Sequence, residues 1–232
     1  MSFGTEIDYD EPIPVFPLGQ LVLLPHATVP LHVFEPRYRA MTRDALGGSR
    51  LIAMGVFEGV AWAEAYQGNP PIKPCVCVGR IVEHQALPDG RYNLLLQGRA
   101  RARVVEELPP AVGDYRSAML EPIEPDPAME IDLTTHRRRL VELVRDPQLS
   151  ALASMGQVKQ WLERDLPTAA LVDAMALVLC RESGERYAML AEPDAHRRAE
   201  ALIATLRETR GVLAAAEPMA AAAKTEEGFY LN

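Results

Sequence analysis

The sequence predicts an α+β fold in which the strands come first and the helices follow. Three observations carry this. From Ile13 to about Ile123, apolar residues alternate with a period of two or form short runs punctuated by proline and glycine, which is the signature of strands and turns. The stretch "EPIEPDPAMEID", Glu121 to Asp132, is dense in proline and acid and reads as a boundary. Beyond it the apolar residues fall at the i, i+3, i+4, i+7 spacing of amphipathic helices. Strands grouped ahead of helices, and not alternating with them, exclude a βαβ sheet. The expected organisation is an acidic flexible N-terminus over 1–12, a β domain with one inserted helix over 13–124, a helical subdomain over 130–211 and a flexible C-terminal tail over 212–232.

The elements follow in order. "IPVFPL" and "QLVLLP" are short apolar runs broken by proline. "TVPLHVF" puts Val29, Leu31 and Val33 on one face of a strand, and Pro30 within it favours a sheet edge. "EPRYRAMTRDALGG" reads as a helix, with Pro36 in its first turn, Tyr38, Met41 and Ala45 as its apolar stripe, and Gly47–Gly48 as its stop. "RLIAMGVF" is the next strand, and residues 58–74, with Trp62, Tyr66 and three prolines, form a long loop. "CVCVGRIVEHQAL" and "RYNLLLQGRARARVVEEL" flank Asp89–Gly90, a sequence suited to a two-residue type I′ hairpin turn. "YRSAMLEPI" makes the last strand.

In the second half, Leu133, Leu140, Val141 and Val144 form one helical stripe, and Val158, Trp161 and Leu162 another. Pro167 opens a third helix. Asp194 is placed to cap a fourth, whose stripe is Ala199, Leu202, Ile203 and Leu206 and whose expected end is Gly211.

The totals bound the function. The chain has 232 residues, a net charge of -8 and 24% charged residues, the composition of an ordinary globular protein able to bury a core without staples. Its three cysteines, Cys75, Cys77 and Cys180, are too few and too odd in number for a disulfide framework. The N-terminus is acidic and lacks an apolar signal region, and no apolar run is long enough to span a membrane. A cytoplasmic location and no membrane partner are expected. Net negative charge argues against a nucleic-acid partner, because phosphate neutralisation dominates that affinity. Nothing in the sequence signals an oligomeric state.

Several stretches together resemble a known family. "PVFPLGQLVLLPHATVPLHVFEPRYRAM" is similar to the opening of the N-terminal, substrate-binding domain of Lon proteases, and "LPDGRYNLLLQGRARARV" to that domain's hairpin. "YRSAMLEPIE" resembles its closing strand, and "LVDAMALVLCRESGERYAMLAEPDAHRRAEALIATL" the helices that follow. The resemblance spans roughly 13–210. It implies a PUA-like β barrel followed by an α-helical bundle, used to recognise substrate proteins. The sequence departs from Lon in holding no G-x-x-x-x-G-K-[ST] phosphate loop, so the ATPase and Ser–Lys protease modules are not carried over. A stand-alone, non-catalytic recognition module is the expectation, with an unfolded or specific polypeptide as partner and a place as adaptor in protein quality control.

His32 and Glu35 stand close in sequence but straddle a strand-to-helix corner. Glu35 is better read as a carboxylate at a helix N-terminus with an i, i+4 partner in Arg39, and Phe34 and Tyr38 as anchors of that helix. His32 has no assigned role. Cys75 and Cys77 share one strand face but lack the further ligands zinc requires, so they read as buried thiols. No serine sits in a nucleophile elbow. No catalytic, cofactor or metal residue is expected, and no cofactor. Arg99, Arg101 and Arg103 alternate and would form a basic strip, with Arg91 and Arg116, for an RNA-binding alternative. Acids of similar number nearby would instead make cross-strand ion pairs. Trp62 and Tyr66 are residue types enriched in binding hot spots; they either serve a partner or fold back on the domain's own core. A small-molecule enzyme is the remaining alternative, and no motif supports it.

Overall fold

The computed structural model describes residues 7–59, 61–63, 66, 69–109, 115–124, 132–164 and 166–227, with side chains as far as residue 216. Among the described residues, six strands and seven helices give the expected α+β class. The chain divides into two compact units, Met1–Met129 with Arg181–Pro193, and Glu130–Cys180 with Asp194–Asn232.

The first unit holds β1 (Ile13–Leu18), β2 (Thr28–Val33), α1 (Pro36–Gly47), β3 (Leu51–Val56), β4 (Cys75–Ala86), β5 (Tyr92–Glu107) and β6 (Arg116–Pro122). The strand order is β2-β5-β4-β3-β1-β6, and β5 also pairs with β6. That last pairing closes five strands into a barrel and leaves β2 outside the ring on β5. All pairs are antiparallel except β1 with β3, where Val15 lies opposite Ala53 and Leu18 opposite Val56. β2 pairs with β5 alone, so Pro30 sits on the edge its missing N–H requires. Ile13, Val15, Leu51, Ala53, Val76, Val78, Ala102, Ala118 and Leu120 form the barrel core. Ile7 and Tyr9, within the segment expected to be flexible, pack against it, partly buried, because apolar area gains from burial.

β5 has to pass one crowded point. A Cβ on Gly98 would lie 2.1 Å from the Leu24 carbonyl oxygen. His26 N–H donates to the Gly98 carbonyl at 3.0 Å, and Gly98 N–H donates to Ala27 at 2.8 Å. The hairpin differs from the expected two-residue turn. Gly90 alone has positive φ, Gly90 N–H donates to the Leu87 carbonyl, and Leu87 N–H donates to Arg91. This is a three-residue loop with glycine in the left-handed position.

α6 (Ser183–Ala191) was expected in the helical half but clusters with the first unit. Three contacts fasten it there. Cys75 N–H donates to Tyr187 Oη at 2.9 Å, Arg101 donates to the Met189 carbonyl at 3.3 Å, and the Lys73 ammonium lies 4.3 Å over the Tyr187 ring.

The second unit contains α2 (Thr134–Arg145), α3 (Pro147–Ser150), α4 (Met155–Leu162), α5 (Thr168–Leu179) and α7 (Ala195–Glu227). Its buried residues include Leu140, Val144, Val158, Leu171, Met175, Leu202, Ile203 and Leu206. Val141, Trp161 and Leu162 are only partly buried, so those stripes are narrower than the sequence suggests. Asp194 accepts from His196 N–H at 2.8 Å as the expected N-terminal cap. Gly211 does not stop α7, which continues to Glu227; the alanines that follow are strong helix formers and outweigh the roughly 1 kcal/mol glycine penalty. The expected tail beyond Glu227, and residues 1–6 and 125–131, lie outside the described residues. A buried ion pair, Arg198 with Asp173 at 3.2 Å, ties α7 to α5.

Two predictions follow from these packing sites. Gly98→Ala should lower stability by roughly 3 kcal/mol or more. Gly47→Ala, where nothing lies within 4 Å, should be neutral or raise it by about 0.5–1 kcal/mol. Urea denaturation of both variants checks the contrast. Arg198→Met should cost about 3–5 kcal/mol by removing the cation that faces the buried Asp173 carboxylate, and adding Asp173→Leu should restore part of it.

Candidate functional site

The loop expectation and the strand-to-helix corner meet in one cluster. β2 delivers Phe34 and Glu35, α1 begins with Pro36, and Arg37 and Tyr38 follow in its first turn. β1 and β3 run parallel, so their ends, Gly19 and Phe57, emerge at the same rim. The 58–74 segment returns there: Phe57 and Ile72 form a β-bridge, and Ala61–Ala63 make a 3-10 turn. Residues 60, 64, 65, 67 and 68 of the expected loop lie outside the described residues.

Trp62 stacks on Phe57 with ring centroids 5.0 Å apart and planes 9° from parallel. Its indole fills the space above Gly19, where a Cβ would lie 2.1 Å from Cζ2. Tyr66 meets both rings edge-on, at 6.0 Å from Phe57 and 6.3 Å from Trp62. Tyr66 Oη donates to Glu35 Oε1 at 2.5 Å. The Arg37 guanidinium pairs with Glu35 at 3.1 Å and lies between two rings, 4.6 Å from Tyr38 and 4.7 Å from Tyr66. Phe16 closes the set on Tyr38 at 4.4 Å. Trp62 and Tyr66 are both half-buried. They fold back on the domain and also keep part of each ring at the surface.

Several readings of single residues change here. Glu35 makes no side-chain cap to α1; its oxygens are taken by Tyr66 and Arg37, and Arg37 replaces the expected Arg39 as its partner. Arg39 instead reaches Gly90, where its guanidinium occupies the place of a Cβ. Phe34 anchors nothing: it is 59% exposed, while Tyr38 is buried as expected. His32 gains a role. Its Nδ1 donates to Asn93 Oδ1 at 2.7 Å, its register partner on β5, and its Nε2 faces Arg91 at 3.3 Å.

The basic strip does not form. Arg99 is exposed and donates to Gln97, Arg101 is buried against the Met189 carbonyl of α6, and Arg103 is exposed with Glu121 at 3.3 Å. Alternation gave three side chains one face, but α6 covers that face at Arg101. Arg116 holds Glu107 with two hydrogen bonds and the Pro70 carbonyl with a third. Cys75, Cys77 and Cys180 are buried thiols. Among the described residues, no group of three or more His, Cys, Asp or Glu is placed to hold a metal ion, and no helix is long and apolar enough to cross a membrane. Sequence reading singled out Trp62 and Tyr66 by residue type but missed Glu35 and Arg37 as the partners of Tyr66, because the Tyr66–Glu35 bond spans 31 positions and no local period reports such a contact.

Comparison with known proteins places this geometry. Residues 12–208 match the family described as the ATP-dependent protease La (LON) substrate-binding domain. Lon protease 2 of Myxococcus xanthus is 26% identical over 97% of this chain, which spans 27% of that protein's length. Lon protease of Chloroflexus aggregans is 26% identical over 66% of this chain, and the match spans 19% of that protein. Among solved structures, the Lon N-terminal domain protein from Xanthomonas campestris is similar with a TM-score of 0.60 and 26% identity, covering 84% of this chain and 98% of that one. The N-terminal domain of Mycobacterium avium complex Lon protease shares the fold with a TM-score of 0.62 at 14% identity, covering 85% and 98%.

The cluster has a testable electrostatic signature. Burial pushes the Tyr38 phenol well above the ordinary tyrosine range, against the lowering pull of Arg37. Burial first, and then the hydrogen bond to Glu35, raises Tyr66. A folded-state value above the unfolded one means that the native state holds the proton longer. Its contribution is fully present below about pH 10, the unfolded value, and is lost as pH rises through the folded one. Denaturation midpoints should therefore fall above about pH 10, and Tyr66→Phe should flatten that fall.

Proposed function

This chain belongs to the ATP-dependent protease La (LON) substrate-binding domain family, and from that premise we propose that it is a non-catalytic module that recognises polypeptide. Its family supports a substrate-recognition role in general; the adaptor role in protein quality control and the cytoplasmic location are the finer parts of this reading. The observation that carries it is the rim cluster of Trp62, Tyr66, Arg37 and Glu35. Trp, Tyr and Arg are the residue types that dominate binding hot spots. Here their mutual contacts hold them in place before any partner arrives, so binding loses little side-chain entropy. A surface of aromatic faces with one ion pair accepts apolar and polar side chains alike, which suits an unfolded chain better than one fixed ligand. The RNA-binding alternative loses its strip with the burial of Arg101.

The test is binding of a fluorescent, permanently unfolded, alkylated protein. Wild type should bind at micromolar concentration. Arg37→Ala with Tyr66→Ala should weaken binding about tenfold or more, while Tyr66→Phe, which keeps the ring, should stay within about threefold. Trp62→Ala should weaken binding and also lower the melting temperature, because it uncovers Gly19 and Phe57. No wild-type binding at about 100 µM would sink the proposal.

A further inference from the structure

Strand β4 outruns its neighbour. β3 pairs with it only from Met54 opposite Cys77 to Leu51 opposite Arg80, and the last link is Ile81 N–H to the Arg50 carbonyl at 2.9 Å. β4 continues to Ala86, and over that stretch β5 is its only strand partner among the described residues. Val82 to Ala86 are all exposed, and Val82 shows 42% of its surface. Leu87 N–H donates to Arg91, and Gln85 stands opposite Asn93. In an antiparallel ladder, facing and outward backbone groups alternate, so the N–H and C=O groups of His84 and Ala86 point away from β5. They form a short row of unused strand donors and acceptors.

Arginines crowd the start of this edge. Arg50 is held in a left-handed conformation, φ 62°. Its side chain runs along the edge, donating from Nε to the Ile81 carbonyl at 3.2 Å and facing His84 Nδ1 at 3.2 Å. Arg80, opposite both Leu51 and Gln97, donates to the Ser49 carbonyl at 3.0 Å. Arg99 donates to Gln97. Burial first, and then the charges of Arg99 and Arg50, lower the Arg80 guanidinium from its ordinary value. Glu83 is exposed on β4 itself, and Asp89 of the hairpin is held by Arg91 at 2.6 Å. In a chain of net charge -8, this is a local concentration of positive charge beside open backbone.

We propose that the Val82–Ala86 edge of β4 takes up an extended, acidic segment of a partner polypeptide as an added strand, with His84 and Ala86 supplying the backbone hydrogen bonds and Arg50 and Arg99 receiving its carboxylates. This is strand addition, in which main-chain bonds give affinity and side chains give selectivity. It rests on the polypeptide-recognition reading and gives it a second surface and a charge preference. An acidic strand brings counter-charge to the arginines; a second copy of this chain would bring more arginines to the same short edge. The register shift between Ile81 and Glu83 and the Arg50 side chain lying along the edge are the devices that blunt indiscriminate pairing.

The test uses the full chain and a labelled peptide of about ten residues alternating valine and glutamate, with its valine–lysine counterpart as comparison. The acidic peptide should bind at least about tenfold more tightly, and Arg50→Glu with Arg99→Glu should remove that advantage. N-methylation of alternate peptide nitrogens should weaken binding about fivefold or more, since it blocks the ladder but not the charges. Arg99 is exposed and Arg50 half-buried, and an unchanged melting temperature confirms that the variant is folded. Equal binding of the two peptides, indifference to N-methylation, or indifference to the arginine substitutions would each overturn the proposal. Tighter binding of a single-stranded RNA oligomer through the same arginines would overturn it in favour of nucleic acid. A dimer in sedimentation that His84→Pro dissolves would overturn it in favour of self-pairing. If the edge fails while the Arg37–Tyr66 rim still binds unfolded protein, only this inference falls; if neither binds polypeptide, its premise falls.

Discussion

One strand, β5, has three strand partners among the described residues, and the first unit is arranged around it. β5 pairs with β4 from Tyr92 to Arg103, with β2 over Tyr92–Gln97, and with β6 over Ala102–Glu107. The change of neighbour on its second edge happens across Gly98, the point where the Leu24 carbonyl approaches too closely for any side chain. The loop over Leu24–Ala27 fills the gap between β2 and β6 by bonding both polar groups of Gly98. Without that close approach β2 and β6 could not share one strand, and the barrel could not close while keeping β2 as an extension. The register shift between Val104 and Glu106 adds the local twist that turns β5 towards β6.

That constraint also builds the rim. The parallel pairing of β1 and β3 brings Gly19 and Phe57 out together, and β2 on the flank of β5 leads into the Glu35–Pro36 corner. Trp62 is then the piece that joins them, covering a glycine on one side and a phenylalanine on the other. Glu35 illustrates how position changes a role. At a helix start a carboxylate ordinarily meets unpaired N–H groups. Here a phenol and a guanidinium reach it first, and each forms a charge-assisted bond stronger than a neutral one. Proline at the first helical position lessens the need for a cap, because it has no N–H to satisfy.

Much of this was legible in the sequence because it follows from short-range rules. Period-2 alternation located β2, β4 and β5, Pro36 marked the start of α1, and Asp194 capped α7. The errors have equally physical causes. The Asp89–Gly90 pair signals a turn but not whether Pro88 joins it. Alternation assigns Arg99, Arg101 and Arg103 to one face without saying which part of that face a helix more than eighty positions away will cover. α6 was grouped with the helices for the same reason: its amphipathic pattern fits any apolar surface, and the contacts of Tyr187 with Cys75 and Lys73 and of Met189 with Arg101 hold it on the first unit. The partners of Tyr66 were invisible because the corner and the loop lie 31 positions apart and meet through non-local strand pairing, which no run of residues announces.

The two surfaces on this unit work by different physics. At the rim, Arg37 is already satisfied by Glu35 and by two aromatic faces, so the cluster offers shape and polarisable area more than free charge. Cation–π contacts of this kind contribute about 0.5–1 kcal/mol each at partly exposed sites, enough to hold the rings in place. Along β4 the situation is reversed: the backbone groups are open, the guanidiniums are near one another, and salt will screen whatever they attract. A chain segment that engaged both would gain from effective concentration more than from either contact alone. An unfolded substrate, long and variable in side chains but uniform in backbone, is the kind of partner for which one sequence-tolerant aromatic surface and one backbone-reading edge would together be sufficient.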